Sequence, residues 1–333
     1  MIQKIKKILT VVSSLILGTI LFVWLVGEAG LKDVFTTFLT VSLWWLSLFL
    51  FLSLLIDLGL ALRWKVIIKH HGYFVPFWDC FKYKMIGYAV SYVTPSAFVG
   101  GEPVRAMMLK KHGIPVPEAF STVILDKTIE LTSNILFGII GIFIVLMFLA
   151  VPFVTYGILF LIFGIVMLFV FLFFGKLAKD ERLLSHMVKK LGLCRFKFFK
   201  NLSEKIHDVE VAMSKFMKGD AKGFSTAIVM SIIILLIMFF EYLIGLNIIG
   251  VPISIPAVFL VGISVSIAYT IPIPGAIGIL EGGQVSAFRM LGQPISLGIV
   301  FGLIVRGRDL LKTLTGFWFL SHEGASRLEN GEK

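Results

Sequence analysis

The chain has 333 residues, of which 58% are hydrophobic and 15% charged, with a formal net charge of +11. Soluble domains are about 45–50% apolar and about 25% charged, and one core cannot hide the excess, because a chain of this size still covers its surface with polar groups. A soluble globular enzyme and a disordered chain are thereby excluded, as is a β-barrel, whose strands alternate where these apolar runs, rich in the 32 Phe, do not.

The remaining class is an all-α polytopic membrane protein. A spanning helix needs about 20 mostly apolar residues. Residues 8–27 qualify, and Lys4, Lys6 and Lys7 before them hold the N-terminus in the cytoplasm. A cleaved signal peptide is the competing reading, but the run is long and no A-x-A site follows. Residues 41–62 return inward to Arg63, Lys65 and Lys69.

Residues 80–113 carry lysines at both ends and a break, Thr94-Pro95-Ser96-Ala97-Phe98-Val99-Gly100-Gly101-Glu102-Pro103, in the middle. This pattern predicts a re-entrant pair of half-helices, which a bilayer tolerates only where protein or a water-filled cavity surrounds it. Spans at 119–151 and 153–175 follow. The segment 176–222 holds 12 of the 31 Lys and Arg and reads as a cytoplasmic loop rather than a nucleic-acid footprint. Within it Phe199, Leu202, Ile206, Val209, Met213 and Phe216 form an apolar helical stripe among lysines, suited to an anionic membrane surface or to packing under the bundle. Residues 224–248 span outward. Residues 256–291, broken at Pro272, Pro274, Gly275 and Gly278, read as a second hairpin entering from outside. Residues 296–320 span inward. The expected topology is six spans and two hairpins in the cell membrane, with both termini cytoplasmic, as a single domain.

At an offset of 179 residues Pro95 falls on Pro274, Ala97 on Ala276, Glu102 on Glu281, Gly113 on Gly292 and Pro115 on Pro294. Lys127 falls on Arg306 and Glu130 on Asp309. Three spans, 119–151, 153–175 and 224–248, separate the two hairpins, so the units, about 80–151 and 256–320, point opposite ways. Inverted repeats with broken helices are typical of transporters, whose sites lie near the midplane.

An intramembrane charge costs at least about 2.5–3.5 kcal/mol on insertion scales. Asp57, Glu102, Arg105, Asp126, Lys127, Glu130, Glu241, Glu281, Arg306, Arg308 and Asp309 all lie in or near apolar segments. Lys127 and Glu130 are i,i+3 neighbours, and Arg306 and Asp309 repeat that spacing. Structural ion pairing is the bland reading; repetition beside both breaks favours a binding role. Pro103 suits the first turn of a helix with Glu102 as its cap, so the half-helix 103–111 would aim its N-terminus at mid-membrane. Arg105 would add a bidentate fork for phosphate. Gly100, Gly101 and Gly275 form the hairpin backbone with the prolines, and near Gly278 the backbone could approach a ligand closely, because no Cβ intervenes. Glu241, alone in an apolar span, fits a helix–helix hydrogen bond better than a proton or cation site. Gly298 and Gly302 form a GxxxG face for packing within or between chains. Cys80 and Cys194 form no CxxC, and the six His show no metal-ligand spacing, so no cofactor is expected.

The stretches Gly100-Gly101-Glu102-Pro103-Val104-Arg105-Ala106 and Pro272-Ile273-Pro274-Gly275-Ala276-Ile277-Gly278-Ile279-Leu280-Glu281, with Arg306, resemble the lysylphosphatidylglycerol synthase transmembrane-region family. That family includes the flippase half of the bacterial multiple peptide resistance factor. The resemblance implies movement of a phospholipid, an aminoacylated phospholipid or a lipid-linked precursor between leaflets. In such a carrier Arg105 and Arg306 would hold phosphate and Lys127 would assist, while Glu102, Glu130, Glu281 and Asp309 would orient the cations or meet a cationic head group. The chain departs from the family at Ala276, where glycine is frequent, and at Asp126-Lys127, where Glu-Arg is frequent. About a dozen residues follow the last span, so the lysyltransferase activity of two-part members is not expected. Membrane lipids are the expected partners, with a second copy of the chain or a separate lipid-modifying enzyme as further ones. The rival readings are an ion-coupled transporter of a small soluble anion and a membrane-embedded lipid-modifying enzyme.

Overall fold

The structure, a computed structural model, describes residues 2–94, 100–148 and 221–329. Every regular element among them is helical: α1 (Ile2–Ala29), α2 (Leu31–Leu39), α3 (Leu43–His70), α4 (Phe77–Val93), α5 (Glu102–Met108), α6 (Val116–Phe148), α7 (Ala221–Ile248), α8 (Ile255–Thr270), α9 (Ile279–Met290) and α10 (Ile295–Glu329). A 3₁₀ turn, Leu109–His112, extends α5. The expected span 153–175, nearly all of the basic segment 176–222 with its apolar stripe, and Pro95 lie outside the described residues.

Three described helices, α3, α6 and residues Lys222–Ile248 of α7, are long and apolar enough to cross a membrane. At 1.5 Å per residue, 28 residues extend about 42 Å, more than a hydrocarbon core of about 30 Å. Their outward faces remain apolar: Leu43, Trp44, Phe51 and Leu54 on α3, Ile135 and Phe148 on α6, and Ile232, Leu236 and Phe240 on α7 are exposed. Such surfaces suit lipid, because the helical backbone is already satisfied internally.

The second expected span runs further than residue 62. α3 continues to His70, and Arg63 and Trp64 are fully buried. Arg63 is therefore an interior residue and not a flanking cytoplasmic charge.

Each predicted break separates two helices that pack on each other, α4 on α5 and α8 on α9. The second break turns through positive φ at Gly275 (58°), Ala276 (49°) and Gly278 (78°). Ala276 occupies a left-handed conformation that disfavours a Cβ.

The order of elements repeats beyond the units read from sequence. α3 and α7 each have 28 residues and begin 178 apart (221 − 43). Both are followed by a left-handed glycine, Gly72 and Gly250. After the helix pairs, left-handed Gly113 and Gly292 precede α6 and α10, which begin 179 apart (295 − 116). α3 and α7 lie antiparallel. Gly245 faces Phe49, Ile234 faces Gly59, Ser231 bonds Arg63 and Gly223 faces His70, so residue numbers rise on one helix as they fall on the other.

The GxxxG face is used inside the chain. Gly298 lies against Gln284 and Val285, and Gly302 against Glu281, all on α9. Gly278 is likewise occupied: a Cβ there would stand 2.3 Å from the Gly18 carbonyl oxygen of α1. The close approach predicted at Gly278 is thus made by another helix.

Candidate functional site

α4, α5 and α6 meet α3 around one buried carboxylate, Asp126. Arg63 Nε donates to its Oδ1 at 3.0 Å, and Lys84 Nζ and Arg105 Nη2 donate to its Oδ2 at 2.9 and 2.8 Å. Arg63 Nη1 also donates to Ser231 Oγ on α7 at 3.0 Å. Glu130, one turn along α6, lies 3.5 Å from Arg63 and 3.4 Å from Lys84. Its other oxygen accepts from Lys127 at 2.7 Å, the i,i+3 pairing expected from spacing. Lys127 Nζ stands 3.8 Å from Glu102 Oε1 on α5. The Arg105 guanidinium lies over the Trp64 ring, 4.1 Å from its centroid.

Among the described residues this cluster holds four cations, Arg63, Lys84, Arg105 and Lys127, against three carboxylates, Glu102, Asp126 and Glu130. Three of its polar atoms are buried without a partner: Glu102 Oε2, Arg105 Nε and Trp64 Nε1. Leaving such a group unsatisfied costs about 1–3 kcal/mol.

The helix-end geometry differs from the sequence reading. Gly101, not Glu102, is the cap residue of α5, and no side chain caps it. The Gly101 N–H donates to Ser91 Oγ at 2.8 Å. α5 has seven residues, too short for the macrodipole imagined at mid-membrane. Gly101 serves packing instead: an added Cβ would stand 1.9 Å from the Gly87 carbonyl oxygen of α4.

The second break builds a different arrangement. The Gly278 N–H donates to Glu281 Oε2 at 2.9 Å, so a carboxylate of the chain occupies the start of α9. Arg306 Nε donates to Glu281 Oε1 at 2.7 Å, and Nη1 to the Gly275 carbonyl at 3.0 Å. Its Nη2 lies 2.6 Å from Glu281 Oε1 without an aligned hydrogen bond. Arg306 is therefore clamped to the break and does not pair with Asp309, contrary to the expected repetition of the Lys127–Glu130 pair. What repeats at offset 179 is the pairing between breaks and long helices: Glu102 with Lys127, and Glu281 with Arg306.

Asp309 Oδ1 instead accepts from Arg308 Nε at 3.0 Å, and its Oδ2 accepts from the Tyr269 hydroxyl. Arg308 Nη1 reaches Glu241 Oε1 on α7 at 2.9 Å. Glu241 thus belongs to an ion pair rather than standing alone. Lys312, one turn on, donates to Asp57 of α3 at 3.1 Å. Across the repeat, Arg63 of α3 corresponds to Glu241 of α7 at offset 178, and each binds opposite charge on the last helix of the first or second unit.

The structure brings Glu102, Arg105, Lys127 and Glu130 into one cluster and sets Glu281 against Arg306, while Asp309, expected from spacing to pair with Arg306, meets Arg308 instead. Sequence reading missed Arg63 and Lys84 as members of the first cluster. The available signal was the apolar pattern Trp64, Val66, Ile67 and Ile68, which continues past Arg63 and implies burial.

The class defined by these features is a helical membrane protein with paired helix breaks tied to buried charges. The chain belongs to the family described as the lysylphosphatidylglycerol synthase TM region, whose model matches residues 11–316. It is similar to a UPF0104 membrane protein of Methanocaldococcus jannaschii, 31% identical over 134 residues, 39% of this chain and 40% of that protein. A UPF0104 membrane protein of Methanothermobacter thermautotrophicus is 24% identical over 280 residues, 80% of each chain.

Proposed function

We propose that the protein is a flippase or scramblase-like carrier that moves a phospholipid, an aminoacylated phospholipid or a lipid-linked precursor between leaflets. The head group binds at the Asp126 cluster while the acyl chains stay in lipid. The observation that carries this reading is the buried excess of positive charge beside two unpaired donors, Arg105 Nε and Trp64 Nε1, and one unpaired acceptor, Glu102 Oε2. A phosphate would satisfy the donors, and an ammonium group would satisfy the acceptor. An anionic or zwitterionic head group supplies that chemistry. Arg306 and Glu281 hold the second break in place.

The two helix pairs are read as re-entrant hairpins in an inverted repeat. The antiparallel packing of α3 on α7 supports this. So do the ends of the pairs: Lys111, after α5, pairs with Glu323 near the end of α10, whereas Arg289, at the end of α9, pairs with Glu28 and stands just before α10 begins. The pairs therefore end at opposite ends of one helix. The cytoplasmic side is assigned to both termini and the basic segment, in the cell membrane.

The test is leaflet exchange in liposomes with labelled phosphatidylglycerol and phosphatidylethanolamine, normalised to folded protein. Arg105→Ala removes a charge-assisted contact of about 1.5–3 kcal/mol. It should slow exchange roughly 10- to 150-fold at about 1.4 kcal/mol per tenfold, with Arg105→Lys between. Wild-type exchange by well-folded Arg105→Ala would remove the head-group site from this cluster.

A further inference from the structure

α6 carries a polar side chain where its neighbours meet lipid. Asn134 is exposed on a helix long and apolar enough to cross the membrane, two positions past the helix midpoint at 132. Its amide has no hydrogen-bond partner among the described residues. Hydrocarbon satisfies neither the donors nor the acceptor of an amide, so an unpaired one at this depth is costly unless water or a polar ligand reaches it.

This polar face is continuous with the Asp126 cluster. Residues 127, 130, 134 and 138 follow one another at helical spacings of three and four, so they share one face of α6. The cluster is closed on its inner side, where the Arg63 and Asp126 side chains are 1% and 0% exposed. It opens at this edge, where Lys127 and Glu130 are 17% and 21% exposed. Asn134 lies one turn beyond Glu130. Gly138 lies one turn further, and nothing stands within 4 Å of where a Cβ on it would be. The open stretch ends at Gly141, which Phe259 of α8 fills. Leu131 and Ile135, both exposed, flank the polar line with apolar surface suited to acyl chains.

We infer that Lys127, Glu130, Asn134 and Gly138 form a track along α6 by which the head group of the carried lipid enters or leaves the Asp126 cluster, its acyl chains staying in the bilayer beside Leu131 and Ile135. The inference rests on the transport reading and gives it a route. An amide suits the role because it both donates and accepts, so it can hold a phosphate oxygen or an ammonium in passing. It holds either less tightly than a charged partner would, which favours release. Gly138 leaves room for the head group beside the backbone. A second copy of the chain packed through Asn134 and Gly138 is the competing occupant. A helix laid on this face would also bury the open edge of Lys127 and Glu130, which favours the head group.

Two measurements on the full chain test the track, each variant first shown to be monodisperse. In the first, Asn134→Cys, Gly138→Cys, Ile135→Cys and Ile140→Cys in nanodiscs are treated with a charged methanethiosulfonate reagent. Modification is read by peptide mass spectrometry, with native Cys80 and Cys194 left in place. Positions 134 and 138 should react at least about tenfold faster than 135 and 140, because apolar surroundings suppress the reactive thiolate. Equal rates at all four overturn the proposal, whether or not any lipid moves. The second measurement follows leaflet exchange of labelled phosphatidylglycerol in liposomes. Asn134→Leu should slow exchange roughly 2- to 12-fold, the loss of one neutral hydrogen bond in transit, while Asn134→Gln stays near the wild-type rate. An unchanged rate in Asn134→Leu, where Arg105→Ala is slowed, overturns the track and leaves the head-group site standing. A lower dimer fraction of Asn134→Leu in dilute liposomes, counted by single-molecule photobleaching, would make a second copy the amide's partner and overturn the track as well. Absence of exchange by the wild type would overturn the transport reading itself.

Discussion

Asp126→Asn tests whether the first cluster is held by one carboxylate. Asp126 is 0% exposed and accepts from Arg63, Lys84 and Arg105 at 3.0, 2.9 and 2.8 Å. Asparagine preserves the shape and one acceptor oxygen but turns an N–H₂ donor toward cations. The cluster's excess then rises from one positive charge to two around a fully buried position. Removing one partner of a buried ion pair costs about 3–5 kcal/mol. Glu130 remains 3.5 Å from Arg63 and 3.4 Å from Lys84 and keeps the loss near the lower bound. We expect about 3 kcal/mol, roughly a hundredfold fall in the folded-to-unfolded ratio at about 1.4 kcal/mol per tenfold. Equilibrium unfolding in mixed micelles, followed by tryptophan fluorescence, measures it. Glu130→Gln, at a half-buried position, should cost less, about 1 kcal/mol. Adding Arg63→Gln to Asp126→Asn should recover part of the loss, a coupling that a double-mutant cycle reads directly. A loss below about 1 kcal/mol, or one no larger than that of Glu130→Gln, would refute the assignment of Asp126 as the centre of the cluster.

Two further predictions concern the breaks. Ala276→Gly should stabilise the protein by up to about 1 kcal/mol in the same unfolding assay, because relief of positive φ outweighs the added chain entropy; Gly101→Ala should abolish folded yield, since its Cβ would overlap Gly87, whereas Gly113→Ala, which meets open space, should cost only the strain of its φ of 71°. Single cysteines at positions 112 and 292, treated with an impermeant reagent in intact cells, should label at 292 alone, and labelling at both or only at 112 would contradict an inverted repeat.

Membrane residence, the two breaks and their spacing were legible in the sequence, because each rests on local features. Long apolar runs need lipid, Pro and Gly interrupt helices wherever they stand, and i,i+3 neighbours such as Lys127 and Glu130 meet on any helix. The offset that sets Glu102 against Glu281 and Lys127 against Arg306 was likewise readable, since it compares residues of the chain alone. What only the tertiary structure decided was the choice among distant partners. Arg306 has Asp309 at helical spacing yet turns to Glu281, because α9 packs there and Arg308 takes the aspartate. Arg63 resembles a boundary charge until α6 and α7 close over it with Asp126 and Ser231. Gly298 and Gly302 could have served a second chain, but α9 covers them first. In each case the decisive contact joins residues that lie on different helices, or depends on which helix arrives first. Which faces come together there is set by the packing of whole helices, on which no local spacing reports.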